Sequence, residues 1–494
     1  MQPKAKATDI AFVKIHPAIG IARLGNSPSG FFIGPEVPGV FPDPKGGFKD
    51  TQGRIKRQAA RFRIFGYDKK GKLIREIDGK EAEISWTVHL ANGKSAWKRF
   101  SGLSGNTALR NKGIKERPLL IIDPGPRSLS GSNRKARFDT GKFMGVGVPL
   151  GEARTDEQGR LLVLGGSGAA SSPENKPLTT YANNDGWHDD VSDGPVSARV
   201  TFKSGGKSFE AAGAWVICAP PRFAPHLDNV VTLYDVCLQI AVDRFGFKLP
   251  AKPSFRSDVK PILERGMNTR WVTAMIPKAH AHGTLTRPAS HASPAASRKA
   301  IFSRLRDPAL AFAEESESDM PMLWSDHYKQ GASQPLTRIQ YGIMKKWAEG
   351  KFIDDRAAPE GPPPGITPEG LDRAAIENCV GAAFYPGIEA GWFLRDKAAF
   401  SEPFRLEAGK LEAGDLTKQM AVPWQADFYE CTQEGEYAWW PAARPDDVFP
   451  EAGGSQVPWI RKHIKSAKDM VRKWHRLGFI VKKGERYVET ERKP

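Results

Sequence analysis

Residues 61–77 read RFRIFGYDKKGKLIREI, and this stretch decides the fold class of the amino-terminal half. Apolar and polar side chains alternate on both sides of DKKG, and a period of two is typical of strands that bury one face. DKKG itself favours a turn, because Asp and Gly tolerate tight backbone conformations. The stretch therefore predicts a hairpin of two antiparallel strands, 61–67 and 72–77.

The same alternation continues outward from this hairpin. Short alternating or apolar runs, separated by Gly, Asn and Asp turns, predict further strands at 84–90, 119–122, 161–164, 198–202 and 215–218. We therefore expect antiparallel sheets in a β-rich amino-terminal domain, residues 1–248.

After residue 250 the pattern changes to helical spacing and Pro/Gly-rich loops. Apolar residues recur three and four positions apart in several segments, among them 337–349, 371–383 and 460–477. The sequence thus predicts an α+β protein whose carboxy-terminal domain, residues 249–494, is more helical and loop-rich.

Composition excludes several classes of protein. The chain is 40% hydrophobic and 26% charged, which is typical of a globular protein. The net charge of +17 is spread along the chain without a recognisable nucleic-acid module, and no apolar run is long enough for a membrane span, so neither nucleic acid nor a membrane is expected as a partner. The first residues lack the apolar run of a signal peptide, so we expect a cytoplasmic location by default, with later export left open.

Metal and nucleotide motifs are absent from the sequence. HEXXH is missing, and GGSG at 165–168 lacks the lysine of a phosphate-binding loop, so neither a metal nor a nucleotide is expected. Residues 183–196, NNDGWHDDVSDGPV, cluster four aspartates around Trp187 and His188. Such carboxylates either bind a cation or a substrate ammonium group, or cap local turns.

Residues 421–449, AVPWQADFYECTQEGEYAWWPAARPDDVF, carry the most informative chemistry. Oxidation of a tryptophan to an ortho-quinone creates an electrophilic carbonyl, as carbonyl cofactors do. A thiolate can attach to the activated ring, and Asp427 can accept a released proton if the segment is helical, because positions i and i+4 share a face. Residue chemistry alone leaves a loop with buried aromatic side chains as an equal alternative for Cys431, Trp439 and Trp440.

Several long motifs resemble the LodA/GoxA family of cysteine tryptophylquinone oxidases, which includes lysine ε-oxidase and glycine oxidase. They follow the family's order over nearly the whole chain: IHPAIGIARLGNS at 15–27, LGEARTDEQGRLLVLGGSG at 150–168, NNDGWHDDVSDGPV at 183–196, CVGAAFYPGIEAGW at 379–392 and the segment 421–449. The resemblance implies that Cys431 is cross-linked to Trp440, with Trp439 as the rival position. It further implies that Asp427 acts in cofactor maturation and that Cys379 lies near the substrate pocket.

The resemblance also implies an activity and its partners. A primary amine or amino acid is oxidatively deaminated to a carbonyl product, with ammonia and hydrogen peroxide released and dioxygen as oxidant. A flavoprotein completes the tryptophan oxidation, and a homo-oligomer is common in the family. His188 stands where lysine oxidase carries a tyrosine, and the interval from Cys431 to Trp440 is much shorter, so the amine is left open. Asp427 and His188 are the candidate bases for the substrate proton.

Two other functions compete with this prediction. A member with the family fold but no mature quinone would act as a binding or precursor protein. An amine dehydrogenase would pass its electrons to an acidic redox partner, for which the basic surface is the only hint.

Overall fold

The computed structural model describes residues 9–100, 108–274, 295–310, 320–321, 336–357, 365–381, 388–390, 392–430, 443–451 and 453–493. Cys431, Trp439 and Trp440 lie outside these ranges.

The strands are numbered in chain order. They are β1 Phe12–His16, β2 Ile19–Arg23, β3 Phe31–Ile33, β4 Arg57–Tyr67, β5 Leu73–Ile77, β6 Ala82–Val88, β7 Arg127–Ser130, β8 Lys135–Arg137, β9 Lys142–Phe143, β10 Val146–Gly147, β11 Glu152–Thr155, β12 Leu161–Leu164, β13 Ala170–Ser171, β14 His188–Asp189, β15 Ser192–Phe202, β16 Ser208–Glu210, β17 Ala214–Ala219, β18 Phe400–Glu402, β19 Arg405–Leu406, β20 Asp447–Val448, β21 Val457–Pro458, β22 Phe479–Lys483 and β23 Arg486–Thr490.

One large sheet organises the amino-terminal half. It has thirteen strands, of which nine follow the path β7-β6-β15-β17-β2-β4-β12-β11-β8, while β1, β3 and β5 pair with β4 and β16 pairs with β15. The predicted hairpin at 61–77 is confirmed, because β4 and β5 pair antiparallel with Ile64 opposite Ile77. At eleven residues β4 is long enough to pair with β1 and β5 near its end and with β12 nearer its start.

The prediction of antiparallel sheets is only partly right, since the large sheet is mixed. Strand β17 pairs parallel with β2, with Trp215 opposite Ile19, and β3 pairs parallel with β4. Alternation in a sequence reports which face a side chain occupies but not which strand lies beside it. Parallel neighbours also need a long crossover connection, and here almost two hundred residues separate β2 from β17.

The helices of the described ranges lie mainly in the carboxy-terminal half, as predicted. They are α1 Leu233–Phe245, α2 Lys260–Asn268, α3 Ala295–Phe302, α4 Arg338–Ala348, α5 Pro368–Glu377, α6 Trp424–Glu430 and α7 Ala467–Lys473.

Two local predictions are corrected. Residues 119–122 are not a strand, because a 3-10 helix spans Arg117–Leu120, and Pro118 in its first turn has the fixed φ that suits the start of a helix. The helix predicted over 460–477 begins only at Ala467. Ser466 is its N-cap, with an extended backbone and a side chain that accepts from the Asp469 amide.

Strand β17, AWVICA, is buried along its whole length because it divides two hydrophobic clusters. Its alternate residues Ala214, Val216 and Cys218 belong to the first cluster, which also holds Trp424 and Phe428 of α6. Trp215, Ile217 and Ala219 belong to the second, formed largely by the helices. The first cluster includes residues from both sides of the boundary at 248, and that domain boundary stays a prediction.

Candidate functional site

The core of the candidate site is a buried ion pair that flanks the segment 431–442. Arg444 Nη1 lies 2.6 Å from Asp427 Oδ2, and both side chains are 3% exposed. The same nitrogen donates to the Asp427 backbone oxygen at 3.2 Å. Asp427 lies in α6, so the helical conformation that its role as proton acceptor required is present as far as Glu430. The pair therefore joins the two ends of the segment that carries Cys431, Trp439 and Trp440.

Aromatic packing holds the same two ends. The Phe223 amide donates to the Ala443 oxygen at 2.9 Å, and its ring lies 6.5 Å from that of Phe428 in α6. The Ile480 amide in turn donates to the Phe223 oxygen at 2.7 Å, so hairpin β22–β23 closes over this contact. Both flanks of the segment thus lie in the hydrophobic interior.

The start of α6 is held by the aspartate-rich motif. Asp189 Oδ2 accepts from the Trp424 amide at 2.9 Å and from Lys94 Nζ at 2.8 Å. Lys94 also donates to the Ala421 oxygen at 2.9 Å. A helix leaves its first amides without partners inside the helix, and here a buried carboxylate accepts from one of them.

A second aspartate of the motif holds α6 through a neighbouring loop. Asp190 Oδ2 accepts from the Ala169 amide at 3.0 Å, and the Gly168 oxygen accepts from Gln425 Nε2 at 2.9 Å. Burial raises the pKa of Asp190 to about 7. Trp474 beyond α7 lies against Trp424, with ring centroids 5.4 Å apart.

A third aspartate holds the chain that leads into α6. Asp193 Oδ1 accepts from the Thr417 amide and hydroxyl at 2.9 and 2.6 Å, and Oδ2 accepts from Trp215 Nε1 at 2.8 Å. Asp189, Asp190 and Asp193 thus accept from protein donors that lie mostly far away in sequence, rather than capping only the local turns that the sequence suggested.

His188 is buried in β14, next to Asp189. Its Nε2 lies 2.8 Å from Ser171 Oγ, and its ring centroid lies 5.0 Å from that of Phe143. Successive residues of a strand face opposite sides, so the imidazole points away from the Asp189 carboxylate. Burial lowers the pKa of His188, which keeps the ring neutral at pH 7, and Nδ1 has no hydrogen-bond partner among the described residues.

Cys379 is fully buried beside two guanidinium groups. Its Sγ lies 3.8 Å from Arg23 Nη2 and donates to the Ala375 oxygen at 3.5 Å. Burial and the nearby Glu389 raise the pKa of this thiol well above its usual value, against the opposing effect of Arg23 and Arg222. Arg222 donates to the backbone oxygen of Asn378, the residue before Cys379, and directly precedes Phe223. Because Phe223 binds Ala443, these contacts link Cys379 to one flank of segment 431–442.

Three buried charged neighbours of the predicted site residues were not predicted from the sequence. Arg444 lies inside the informative segment, in WPAARPDDV, but nothing in that string says that its partner is Asp427. Arg23 is the last residue of β2 and lies inside the motif at 15–27. It forms a buried ion pair with Glu389 at 2.7 Å, which joins residues far apart in sequence. Lys94 lies in a turn-like string, ANGKS, which is typical of an exposed loop.

Within the ranges that the structure describes, no group of three or more His, Cys, Asp and Glu side chains is arranged to hold a metal ion. In those ranges there is also no helix whose length and apolarity would let it cross a membrane.

Two family models match the chain. The model described as L-Lysine epsilon oxidase N-terminal covers residues 16–218, and that described as L-lysine epsilon oxidase C-terminal domain covers residues 321–450. L-lysine 6-oxidase of Marinomonas mediterranea is 29% identical over 530 aligned residues, which span 85% of this chain and 71% of that protein.

Solved structures show the same similarity. L-Lys epsilon-oxidase from Marinomonas mediterranea superimposes with a TM-score of 0.79 at 26% identity, covering 97% of this chain and 94% of that one. The structure of its Schiff base intermediate with L-Lys gives a TM-score of 0.78 at 26% identity, with 97% and 95% covered. The amino-terminal match contains His188 and the carboxy-terminal match contains Asp427, Cys431 and Trp440, so with both family models and the whole-chain superposition in agreement, the chain belongs to the L-lysine epsilon-oxidase (LodA-like) family.

Proposed function

We propose that the chain is an amine or amino-acid oxidase whose cofactor is a cysteine tryptophylquinone formed from Cys431 and Trp440. The observation that supports it most is the buried Asp427–Arg444 pair, which joins the ends of the segment carrying Cys431 and both tryptophans. The family relationship adds that the lysine oxidase of Marinomonas mediterranea forms a Schiff base with L-Lys. The chemistry supplied by such a cofactor is an electrophilic carbonyl for a primary amine.

Asp427 is the proposed base of cofactor maturation. Joining the Cys431 sulfur to an indole carbon removes one hydrogen from each group, so two protons and two electrons must leave. A carboxyl group that is 2% exposed and four residues before Cys431 fits the role of proton acceptor, and Arg444 fixes its orientation. The electrons pass to dioxygen and to the flavoprotein partner that the family resemblance implies.

Two groups are proposed for removal of the substrate proton, Asp427 and His188. His188 offers a neutral imidazole whose Nδ1 has no partner among the described residues. Asp427 offers a carboxylate that Arg444 holds at 2.6 Å. A base must come within hydrogen-bond reach of the substrate carbon, and Cys379 is proposed to line the pocket that brings it there.

Mass spectrometry tests the cofactor. The chain is coexpressed with its flavoprotein, and the peptides carrying Cys431, Trp439 and Trp440 are analysed. We expect a thioether crosslink plus two oxygen atoms on Trp440, together with visible absorbance. The Cys431→Ala variant is the matched control and should show neither. Unmodified peptides from coexpressed wild-type protein would contradict the proposal and favour a binding or precursor protein.

Turnover tests the reaction. The matured protein is offered a panel of α-amino acids, side-chain amines and peptide-bound amines under air, and peroxide and ammonia are measured. We expect equal amounts of both with at least one amine. Reduction of an artificial acceptor without peroxide would show an amine dehydrogenase instead.

A further inference from the structure

Lys94 and Asp189 form an ion pair sealed inside the protein. Both side chains are 0% exposed, and Nζ lies 2.8 Å from Oδ2. Removing two charges from water is costly, and a well-packed apolar pair in their place is often as stable. The contacts of this pair show where it acts on the structure.

Both members of the pair bind the backbone at the start of α6. Asp189 Oδ2 accepts from the Trp424 amide at 2.9 Å, and Lys94 Nζ donates to the Ala421 oxygen at 2.9 Å. Asp427 is three residues further on, less than one helical turn from Trp424. A displacement of Trp424 therefore carries Asp427 with it.

The pair is itself held in place by other buried groups. Asp189 Oδ1 accepts from Asn92 Nδ2 at 3.1 Å and from the Val191 amide at 3.2 Å. Arg110 Nη1 donates to the Lys94 oxygen at 2.9 Å. With both carboxylate oxygens engaged, Asp189 has a fixed orientation toward the helix.

We propose that Asp189 is a positioning residue for Asp427, with its oxygen fixing the start of α6 and Lys94 balancing its buried charge. The inference rests on the proposed function, in which Asp427 accepts protons during cofactor maturation. Misplacement of a reacting group by about 1 Å can slow a reaction about a hundredfold, so positioning is a sensitive requirement. The acceptor at Trp424 is the essential feature, and the charge is needed only to balance its buried partner.

Two double variants separate the acceptor from the charge. Lys94→Met with Asp189→Asn removes both charges but keeps an oxygen for the Trp424 amide. Lys94→Met with Asp189→Leu removes both charges and the oxygen, with a side chain of similar size. Each is coexpressed with the flavoprotein, and the rate of quinone absorbance, the crosslinked fraction and the thermal unfolding midpoint are measured.

We expect the Asn variant to mature within about threefold of wild type and the Leu variant to mature at least about tenfold more slowly. Amide hydrogen exchange in α6 should rise in the Leu variant alone, and this readout does not need the cofactor. If the Leu variant does not fold, a tenfold loss of maturation in the Asn variant would still overturn the proposal. Equal maturation and equal exchange in the two variants would also overturn it. Absence of the quinone from wild type would contradict the proposed function, while exchange would still test the positioning.

Discussion

Removing both members of the Asp427–Arg444 pair should destabilise the protein less than the two single removals added together. The pair is 3% exposed on each side, and Arg444 Nη1 donates to Asp427 twice, at 2.6 and 3.2 Å. Arg444→Met leaves a buried carboxylate without this guanidinium, a change that typically costs about 3–5 kcal/mol. Asp427→Asn leaves a buried guanidinium beside a neutral amide, and it should also be costly. The double variant leaves neither charge buried without its partner. We therefore expect its loss of unfolding free energy to be about 2 kcal/mol smaller than the sum of the losses in the single variants.

Chemical denaturation followed by tryptophan fluorescence measures this coupling. All variants are made with Cys431→Ala, so that differences in crosslinking do not contribute to the free energy of unfolding. The control is the pair Lys260–Glu264 on α2, which is 3.6 Å apart and 33% and 41% exposed. Its coupling should be below about 0.5 kcal/mol, because solvent screens exposed pairs. Additive losses at Asp427 and Arg444, within about 0.5 kcal/mol, would refute the reasoning.

Three further predictions concern buried or crowded positions. Gly168→Ala should lose about 2 kcal/mol more stability than Gly71→Ala in thermal or denaturant unfolding. Both glycines have φ near +80°, but a Cβ at Gly168 meets the Trp474 ring at 2.2 Å, whereas a Cβ at Gly71 meets nothing within 4 Å. Equal losses would show that Trp474 moves aside freely. Asp190→Asn should flatten the pH dependence of stability, because burial raises the pKa of the Asp190 carboxyl to about 7 and the folded protein therefore binds this proton more tightly. As pH rises from about 4 to 7, wild type loses this contribution to the free energy of unfolding and the amide variant does not. Unfolding curves at both ends of that window test it, and parallel losses in the two proteins would contradict it. Alkylation at pH 8 should spare Cys218, Cys237 and Cys379 in the native protein and label them after unfolding. The reason is that burial raises the pKa of all three thiols, to about 12 for Cys218 and Cys237. Peptide mass spectrometry measures the labelling, and rapid native labelling of Cys379 would show that the surroundings of this thiol open.

Local patterns in the sequence predicted local structure well. The hairpin at 61–77 and strand β12 appear where alternation and apolar runs placed them, since both depend on neighbouring residues. The parallel pairing of β2 with β17 was not predicted, because nothing near either strand specifies so distant a partner. The start of α7 was placed too early, because its apolar spacing extends beyond the Ser466 cap.

In the candidate site, too, the sequence indicated local features but not contacts between distant residues. Asp427 was singled out because it stands four residues before Cys431 and matches a family motif, and it lies in α6. Lys94 and Arg444 were missed because charged residues are usually exposed, and only the folded chain brings them to buried carboxylates. The roles of Cys431, Trp439, Trp440, His188 and Cys379 stay predictions for the experiments above.

The contact of Ile480 with Phe223 has a consequence for biosynthesis. Phe223 also binds Ala443, so hairpin β22–β23 completes the packing of residues that flank segment 431–442. This hairpin begins at Phe479, later in the chain than that segment, and it must leave the ribosome before the interior can close. If the proposed crosslink of Cys431 to Trp440 needs this closed interior, it forms after the chain has left the ribosome, and a maturation enzyme then meets the folded protein rather than a nascent one.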